Sequence, residues 1–197
     1  LKSTFNGKSP SINESLEQYV SVINLEDTID FTRPDFSKVI SLTPEVKFQS
    51  KWPMDRIQNV TSEIDIGSRP EGGVGNITSG VLSLGGEHIH NYNGTLNLAT
   101  PKYVTQAFYS SVASGKIKKG DVLICKDGAL SGKIALVRNE LNSKDAMINE
   151  HVYILRCADK KFQEYLFNLF FSEHGQAVLK SNVTGAAQGG LNSTNLK

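Results

Sequence analysis

The stretch GDVLICKDGALSGKIALV, residues Gly120 to Val137, decides the predicted fold. Two short apolar runs of β type, Val122 to Ile124 and Ile134 to Val137, flank a loop that contains two glycines and two lysines. Such runs on either side of a Gly-containing loop predict an antiparallel hairpin with rigid strands and an exposed loop. The polar side chains of this loop form no catalytic set and suit a surface that grips a polyanion: Lys126, Asp127, Ser131 and Lys133.

Outward from this hairpin, the chain after residue 53 has the pattern of short strands and loops with one clear helix. Apolar residues recur at helical spacing from Lys161 to Lys180, and Thr105 to Ser114 is more helical than extended. The other strand candidates are Ile57 to Ile66, Val81 to Ile89 with a bulge at Gly85-Gly86, and Met147 to Arg156. We therefore predict an α+β fold: a strand-rich single domain with one or two packed helices and Gly-rich loops.

Length and composition limit the domain organisation and the compartment. The 197 residues, 39% apolar and 21% charged, suit one soluble domain with an extension, which we place at residues 53–197 and 1–52. The extension is predicted to be a linker with a short helix from Asn13 to Val22. The chain starts with neither Met nor a signal peptide, which indicates a part of a longer cytoplasmic protein. Cys125 and Cys157 are predicted to be buried free thiols.

The net charge of +1 hides an asymmetry along the chain. Residues 102–138 contain seven basic and two acidic side chains, whereas residues 1–65 contain seven basic and ten acidic ones. Positive charge concentrated around a Gly-rich loop is typical of a surface that contacts phosphate groups. An ordinary solvated lysine face is the alternative.

Enzymatic motifs are few. His88 and His90 would share a strand face, but no third metal ligand stands at a suitable spacing, so no metal is expected. Pro34-Asp35 with Glu45-Val46-Lys47 matches the loose PD…ExK pattern of magnesium-dependent nucleases, and a small nuclease therefore stays open as an alternative. The chain has no Asn/Asp-Pro-Pro-aromatic tetrad and no cofactor loop of adenine methyltransferases, so we expect no cofactor and no catalysis.

Three groups of segments carry a resemblance to a known family. They are GSRPEGG (67–73) with LGGEHI (84–89), then KKGDVLICKDGALSGKIALV (118–137) with INEHVYILR (148–156), then YLF (165–167) with TGAAQGGL (184–191). In this order they resemble a target recognition domain of type I restriction–modification specificity subunits, over roughly residues 53–197. Ile23 to Phe31 resembles the stretch that joins an N6-adenine methyltransferase to such a domain in fused enzymes. Half of a specificity subunit and the carboxy-terminal part of a fused methyltransferase both stay open.

The resemblance implies a non-catalytic module that reads one half-site in double-stranded DNA. Its partners would be an adenine methyltransferase subunit or fused domain and a restriction (translocase and nuclease) subunit. A guanine is read best by an arginine fork and an adenine by an amide, so we expect Arg69, Gln188 and Asn192 at base edges. Lys118, Lys119, Lys126 and Lys133 are assigned to phosphates. The expected DNA-binding set is completed by Ser68, His88, Asp127 and Ser131. A protein- or carbohydrate-binding domain without DNA affinity is the remaining alternative.

Overall fold

The computed structural model describes residues 51, 53, 55–75, 77–90, 92–183 and 190–191. Backbone contacts divide the chain into Leu1–Pro44 and Glu45–Lys197, and every described residue lies in the second unit. The boundary placed between residues 52 and 53 stays a prediction. The short helix in the extension and the nuclease pattern at Asp35, Glu45 and Lys47 lie outside the described residues.

The larger of two sheets has four antiparallel strands in the order β1-β7-β4-β5. A single helical turn, α1 (Ile57–Val60), leads directly into β1, and β7 pairs with both β1 and β4. The strands are β1 (Thr61–Ile66), β4 (Val122–Cys125), β5 (Ile134–Leu136) and β7 (Val152–Cys157).

The smaller sheet has three strands in the order β3-β2-β6, in which β2 runs antiparallel to β3 and parallel to β6. Its strands are β2 (Val81–Leu84), β3 (Tyr103–Val104) and β6 (Ala146–Ile148). Helix α2 (Gln106–Ser111) follows β3 and begins at Thr105, whose side chain accepts a hydrogen bond from the Phe108 amide.

The core has apolar layers on both faces of the larger sheet. In β4, Leu123 and Cys125 belong to the cluster shared with the smaller sheet, whereas Val122 and Ile124 pack with helices α3 (Lys160–Phe171) and α4 (Glu173–Ser181). Because side chains alternate across a strand, only a sheet covered on both faces buries all four residues. A third cluster joins the smaller sheet to α2.

The α+β prediction and the hairpin are confirmed: β4 and β5 pair antiparallel. Four elements differ from prediction. The strand candidate over 57–66 begins with the helical turn α1, so only Thr61–Ile66 is extended. The helix over 161–180 is two helices, because Ser172 ends α3 and caps α4 by accepting a hydrogen bond from the Gly175 amide. The strand over 147–156 is β6 and β7 in different sheets. After β2 the chain forms a 3-10 turn, Gly86–His88, instead of a bulged strand.

Two further features bear on stability. Burial keeps Cys125 free and inaccessible, and Cys157 is free and partly buried. Arg156 on β7 holds the buried Asp121, which precedes β4, through paired hydrogen bonds of 2.8 Å from Nε to Oδ1 and 2.7 Å from Nη2 to Oδ2.

Within the described part of the chain, no helix combines the length and apolarity needed to cross a lipid bilayer.

Candidate nucleic-acid interface

The strand directions bring three loops to one end of the larger sheet. β1 and β4 finish at the edge where β5 and β7 start, because Ile66 pairs with Tyr153, Cys125 with Val152 and Ile124 with Ile134. Residues 67–73, 126–133 and 149–151 therefore meet at this edge. We call these three segments, together with residues 190–191, the loop end, and the other edge of the same sheet the opposite end.

The segment after β1 is fixed from its first residue. A Cβ on Gly67 would overlap the carbonyl oxygens of Ile148 and Asn149, so only glycine allows this approach. Two residues later comes Arg69, whose backbone is restricted because a proline follows it. A turn closes immediately afterwards, where the Gly73 amide donates to the Pro70 carbonyl at 2.9 Å. Arg69 is thus held close to the residues that follow β6.

Backbone hydrogen bonds tie the hairpin loop to its neighbours. The Lys126 amide donates to the His151 carbonyl at 2.9 Å, and the Leu191 amide donates to the Lys126 carbonyl. Asp127 forms an isolated bridge with Gly190. The loop itself turns at Gly128 and Gly132, which have φ values of 71° and 86°. The candidate interface is therefore a set of mutually bonded loops on a rigid sheet.

A chain of close contacts between four ionisable side chains crosses the loop end. His151 Nδ1 lies 2.8 Å from Asp127 Oδ1, and its Nε2 lies 3.2 Å from Glu150 Oε1. The same Glu150 oxygen lies 2.7 Å from Arg69 Nε. These contacts join the hairpin loop to the segment after β1 through the turn between β6 and β7. Of the two His151 contacts, only that of Nδ1 with Asp127 is a hydrogen bond.

The two lysines of the hairpin loop lie in different surroundings. Lys126 Nζ stands 5.6 Å from the centroid of the Tyr153 ring, a cation–π distance. Lys133 and Ser131 line a cleft of about 350 Å³ between the loop and α4, which Lys180 also lines. The Ser131 hydroxyl donates to the Gly128 carbonyl at 2.8 Å and so supports the loop.

Lys118 and Lys119 lie at the opposite end. They precede β4, whose four residues separate them from Lys126 by roughly 13 Å of strand. The basic residues of the 102–138 segment are thus divided between two ends of the sheet, and at the loop end Asp127 and Glu150 lie among the cations. The four lysines assigned to phosphates therefore do not form a single cluster.

His88 cannot contact DNA in this structure, which corrects its place in the expected set. Its side chain is fully buried; Nδ1 accepts a hydrogen bond from the Gly85 amide at 2.9 Å, and Nε2 lies 3.2 Å from the Thr100 carbonyl. Both contacts suit a neutral ring that donates from Nε2. Burial lowers the pKa of His88 below its ordinary value of 6.5. The ring therefore anchors the chain after β2.

The structure brings together Arg69, Lys126, Asp127, Ser131 and Lys133 from the expected set. Ser68 lies in the same segment, but its hydroxyl is closed to solvent, which corrects its place among the expected DNA contacts. Gln188 and Asn192 lie outside the described residues. Glu150 and His151 are missing from the expected set and fall inside the predicted strand over 147–156, whereas both lie in the turn before β7. A signal was present, because Asn149-Glu150-His151 is a polar triplet between two apolar runs. Within the described residues, no cluster of His, Cys, Asp or Glu could hold a metal ion.

The fold belongs to the mixed α+β class, and comparisons place known proteins beside it. No family model matches the chain, and no curated protein does. Similar solved structures include the S subunit of the type I restriction–modification system from M. genitalium (13% identity, TM-score 0.42, 79% of this chain covered) and the HsdS subunit from Thermoanaerobacter tengcongensis (16%, 0.45, 78%). A third, on complex assembly and conformational transition of the type I R-M system, has 19% identity, a TM-score of 0.39 and 66% coverage. The chain spans 35%, 33% and 31% of the lengths of these three.

Proposed function

We propose that residues 53–197 form a target recognition domain that reads one half-site in double-stranded DNA for a restriction–modification enzyme of type I. The observation that carries this proposal is the convergence of separate loops, with an exposed arginine fork and two lysines, at one end of a rigid sheet. The sequence resemblance supports the same function. The domain itself is non-catalytic and acts in the cytoplasm.

Arg69 is the side chain best placed to read a base. Its side chain is 58% exposed, and its pairing with Glu150 runs through Nε, so the two terminal nitrogens are available to a base. A planar guanidinium can donate two parallel hydrogen bonds to O6 and N7 of guanine in the major groove. A base contact of this kind discriminates between sequences, whereas a phosphate contact does not.

Lys126 and Lys133 are assigned to phosphates. A lysine ammonium is a compact charge on a flexible stem, and each phosphate that it neutralises releases condensed counterions from the duplex. Lys118 and Lys119 leave the proposed interface, since the strand β4 separates them from it. The carboxylates of Asp127 and Glu150 limit the net positive charge, which favours modest affinity with marked selectivity.

The partners follow from this role. A module that only reads DNA needs an adenine methyltransferase, as a subunit or a fused domain, to modify the site. It also needs a restriction subunit for translocation and cleavage. A magnesium-dependent nuclease built on Asp35, Glu45 and Lys47 predicts instead that the chain alone cleaves DNA with Mg²⁺ and that Asp35→Ala abolishes the cleavage.

Binding of the 197-residue chain to a panel of duplexes tests the function. The panel comes from selection on a random pool and contains the preferred duplex and every single-base change of it. Arg69→Ala is expected to lose discrimination at one base pair by about 1–3 kcal/mol. Lys126→Ala is expected to weaken all duplexes alike and to flatten the slope of log affinity against log salt by about 1.

Lys119→Ala is the matched control, because it removes a lysine at the opposite end. It should leave both the sequence preference and the salt slope unchanged. Unaltered preference in Arg69→Ala would overturn the assignment of base reading to this residue. Equal flattening of the salt slope in Lys119→Ala and Lys126→Ala would show that the loop end is not the interface.

A further inference from the structure

We propose that Glu150 is a positioning residue for Arg69 and thereby determines the base preference of the domain. The proposal rests on the proposed function. It names a residue that acts on DNA only through another side chain. The observations that carry it are the pairing of Glu150 with Arg69 and the inaccessibility of its own carboxylate.

Glu150 lies behind Arg69 as seen from solvent. Its oxygen Oε1 is 2.7 Å from Arg69 Nε, and Arg69 is 58% exposed whereas Glu150 is 27% exposed. Both carboxylate oxygens are closed to solvent, and neither accepts a hydrogen bond from a described residue. A DNA base therefore cannot reach this carboxylate directly. Its charge holds the Nε side of the guanidinium, which leaves the terminal nitrogens free of this contact.

Glu150 is itself held from the far side. His151 Nε2 lies 3.2 Å from the same oxygen, and Nδ1 of that ring lies 2.8 Å from Asp127 on the hairpin loop. Arg69 and Glu150 form an ion pair, and the His151 ring connects Glu150 to Asp127. These contacts thus fix the position of Arg69 relative to the hairpin loop, which also carries Lys126, the proposed phosphate contact.

The backbone on both sides of the pair is rigid. Gly67 packs against the carbonyls of Ile148 and Asn149, directly before Glu150, and Pro70 restricts the backbone of Arg69. An arginine ordered before binding loses less conformational freedom when it meets a base, and misplacement of its fork costs discrimination. The pair therefore acts before DNA arrives, by ordering the reading group.

The test compares Glu150→Gln, which keeps the size and removes the charge, with Arg69→Lys, which keeps a charge and removes the fork. For each variant and for the double variant, the measured quantity is a ratio of dissociation constants. The ratio compares the preferred duplex with the duplex that is altered at one base pair, the one at which Arg69→Ala loses discrimination. The affinity for an unrelated duplex and the urea midpoint are measured in parallel.

Glu150→Gln is expected to lower this ratio by about tenfold, the size of one charge-assisted contact. Any uniform gain in affinity from the lost negative charge also appears with the unrelated duplex and cancels in the ratio. In the Arg69→Lys background the same substitution should have no further effect on the ratio. Asp127→Asn, at the far end of this chain of contacts, should lower the ratio in the same direction but by less than Glu150→Gln does. It also provides a second variant if Glu150→Gln fails to fold.

The outcomes separate the inference from the function. If Arg69→Ala removes the preference and Glu150→Gln leaves it intact, the inference is overturned and the function stands. If Glu150→Gln tightens every duplex equally, Glu150 is a competitor of DNA and positions nothing, which also overturns the inference. If Arg69→Ala leaves the preference intact, base reading by Arg69 fails and the role of Glu150 fails with it.

Discussion

Replacement of Arg156 by Met should destabilise the domain by about 3 kcal/mol. The guanidinium donates two bonds to Asp121, one of 2.8 Å to Glu63 and one of 2.7 Å to the Lys116 carbonyl. The Asp121 side chain is only 5% exposed. Once the arginine is removed, Asp121 keeps the hydrogen bond from the Lys118 amide at 2.8 Å. Breaking a buried ion pair by removing one partner costs about 3–5 kcal/mol. The Glu63 arm is 49% exposed and adds about 0–1 kcal/mol.

Urea unfolding followed by fluorescence or circular dichroism measures this loss, with unchanged m as the condition for comparing midpoints. Arg56→Met is the control, because Arg56 is an exposed residue, and it should change stability by less than about 0.5 kcal/mol. Adding Asp121→Asn to Arg156→Met should restore part of the loss, since it removes the unpaired buried charge. A loss below about 1 kcal/mol in Arg156→Met, or a further loss in the double variant, would refute the reasoning.

Three further predictions concern stability and reactivity. Burial lowers the pKa of His88 in the folded state, so on acidification the unfolded chain takes up the proton first. The free energy of unfolding is therefore retained above pH 6.5 and falls as the pH drops below it, by at most about 1.4 kcal/mol per pH unit. Urea unfolding across pH should show the advantage of the wild type over His88→Gln shrinking in acid, and a constant difference would contradict this. Burial raises the pKa of the Cys125 thiol to about 11. A thiol reagent at pH 8 should therefore modify Cys157 first and Cys125 only when the domain unfolds. Equal rates of modification at the two cysteines would contradict this prediction. Gly67→Ala should destabilise the domain by about 1–3 kcal/mol in urea, because its Cβ would overlap two carbonyl oxygens, and full stability would show that the segment shifts freely.

Local sequence patterns were sufficient for the hairpin, whose apolar runs and Gly-containing loop are contiguous in the chain. They also contained the breaks that prediction overlooked. Ser172 followed by an acidic residue and Gly175 marks a new helix start. Asn149 marks a turn, because its side chain accepts a hydrogen bond from the His151 amide at 3.0 Å. Each break lies inside a run whose apolar residues keep the spacing of the predicted element, so that spacing alone does not reveal the break.

The site depended on non-local pairing. Arg69 and Glu150 are 81 positions apart, and only the order β1-β7-β4 brings their segments to one edge. Conversely, Lys119 and Lys126 are close in sequence and lie at different ends, because an extended strand separates them. A charge count along the chain cannot register that separation. Burial of His88 was equally non-local, since Thr100 provides one of its partners.

The most direct test of the central claim is fluorescence anisotropy of the 197-residue chain with a random duplex pool across a salt series. We expect weak binding that falls steeply as salt rises, and a preferred half-site that can be selected from the pool. Absence of binding at the lowest salt, or binding that does not depend on salt, would contradict the claim that the loop end grips DNA.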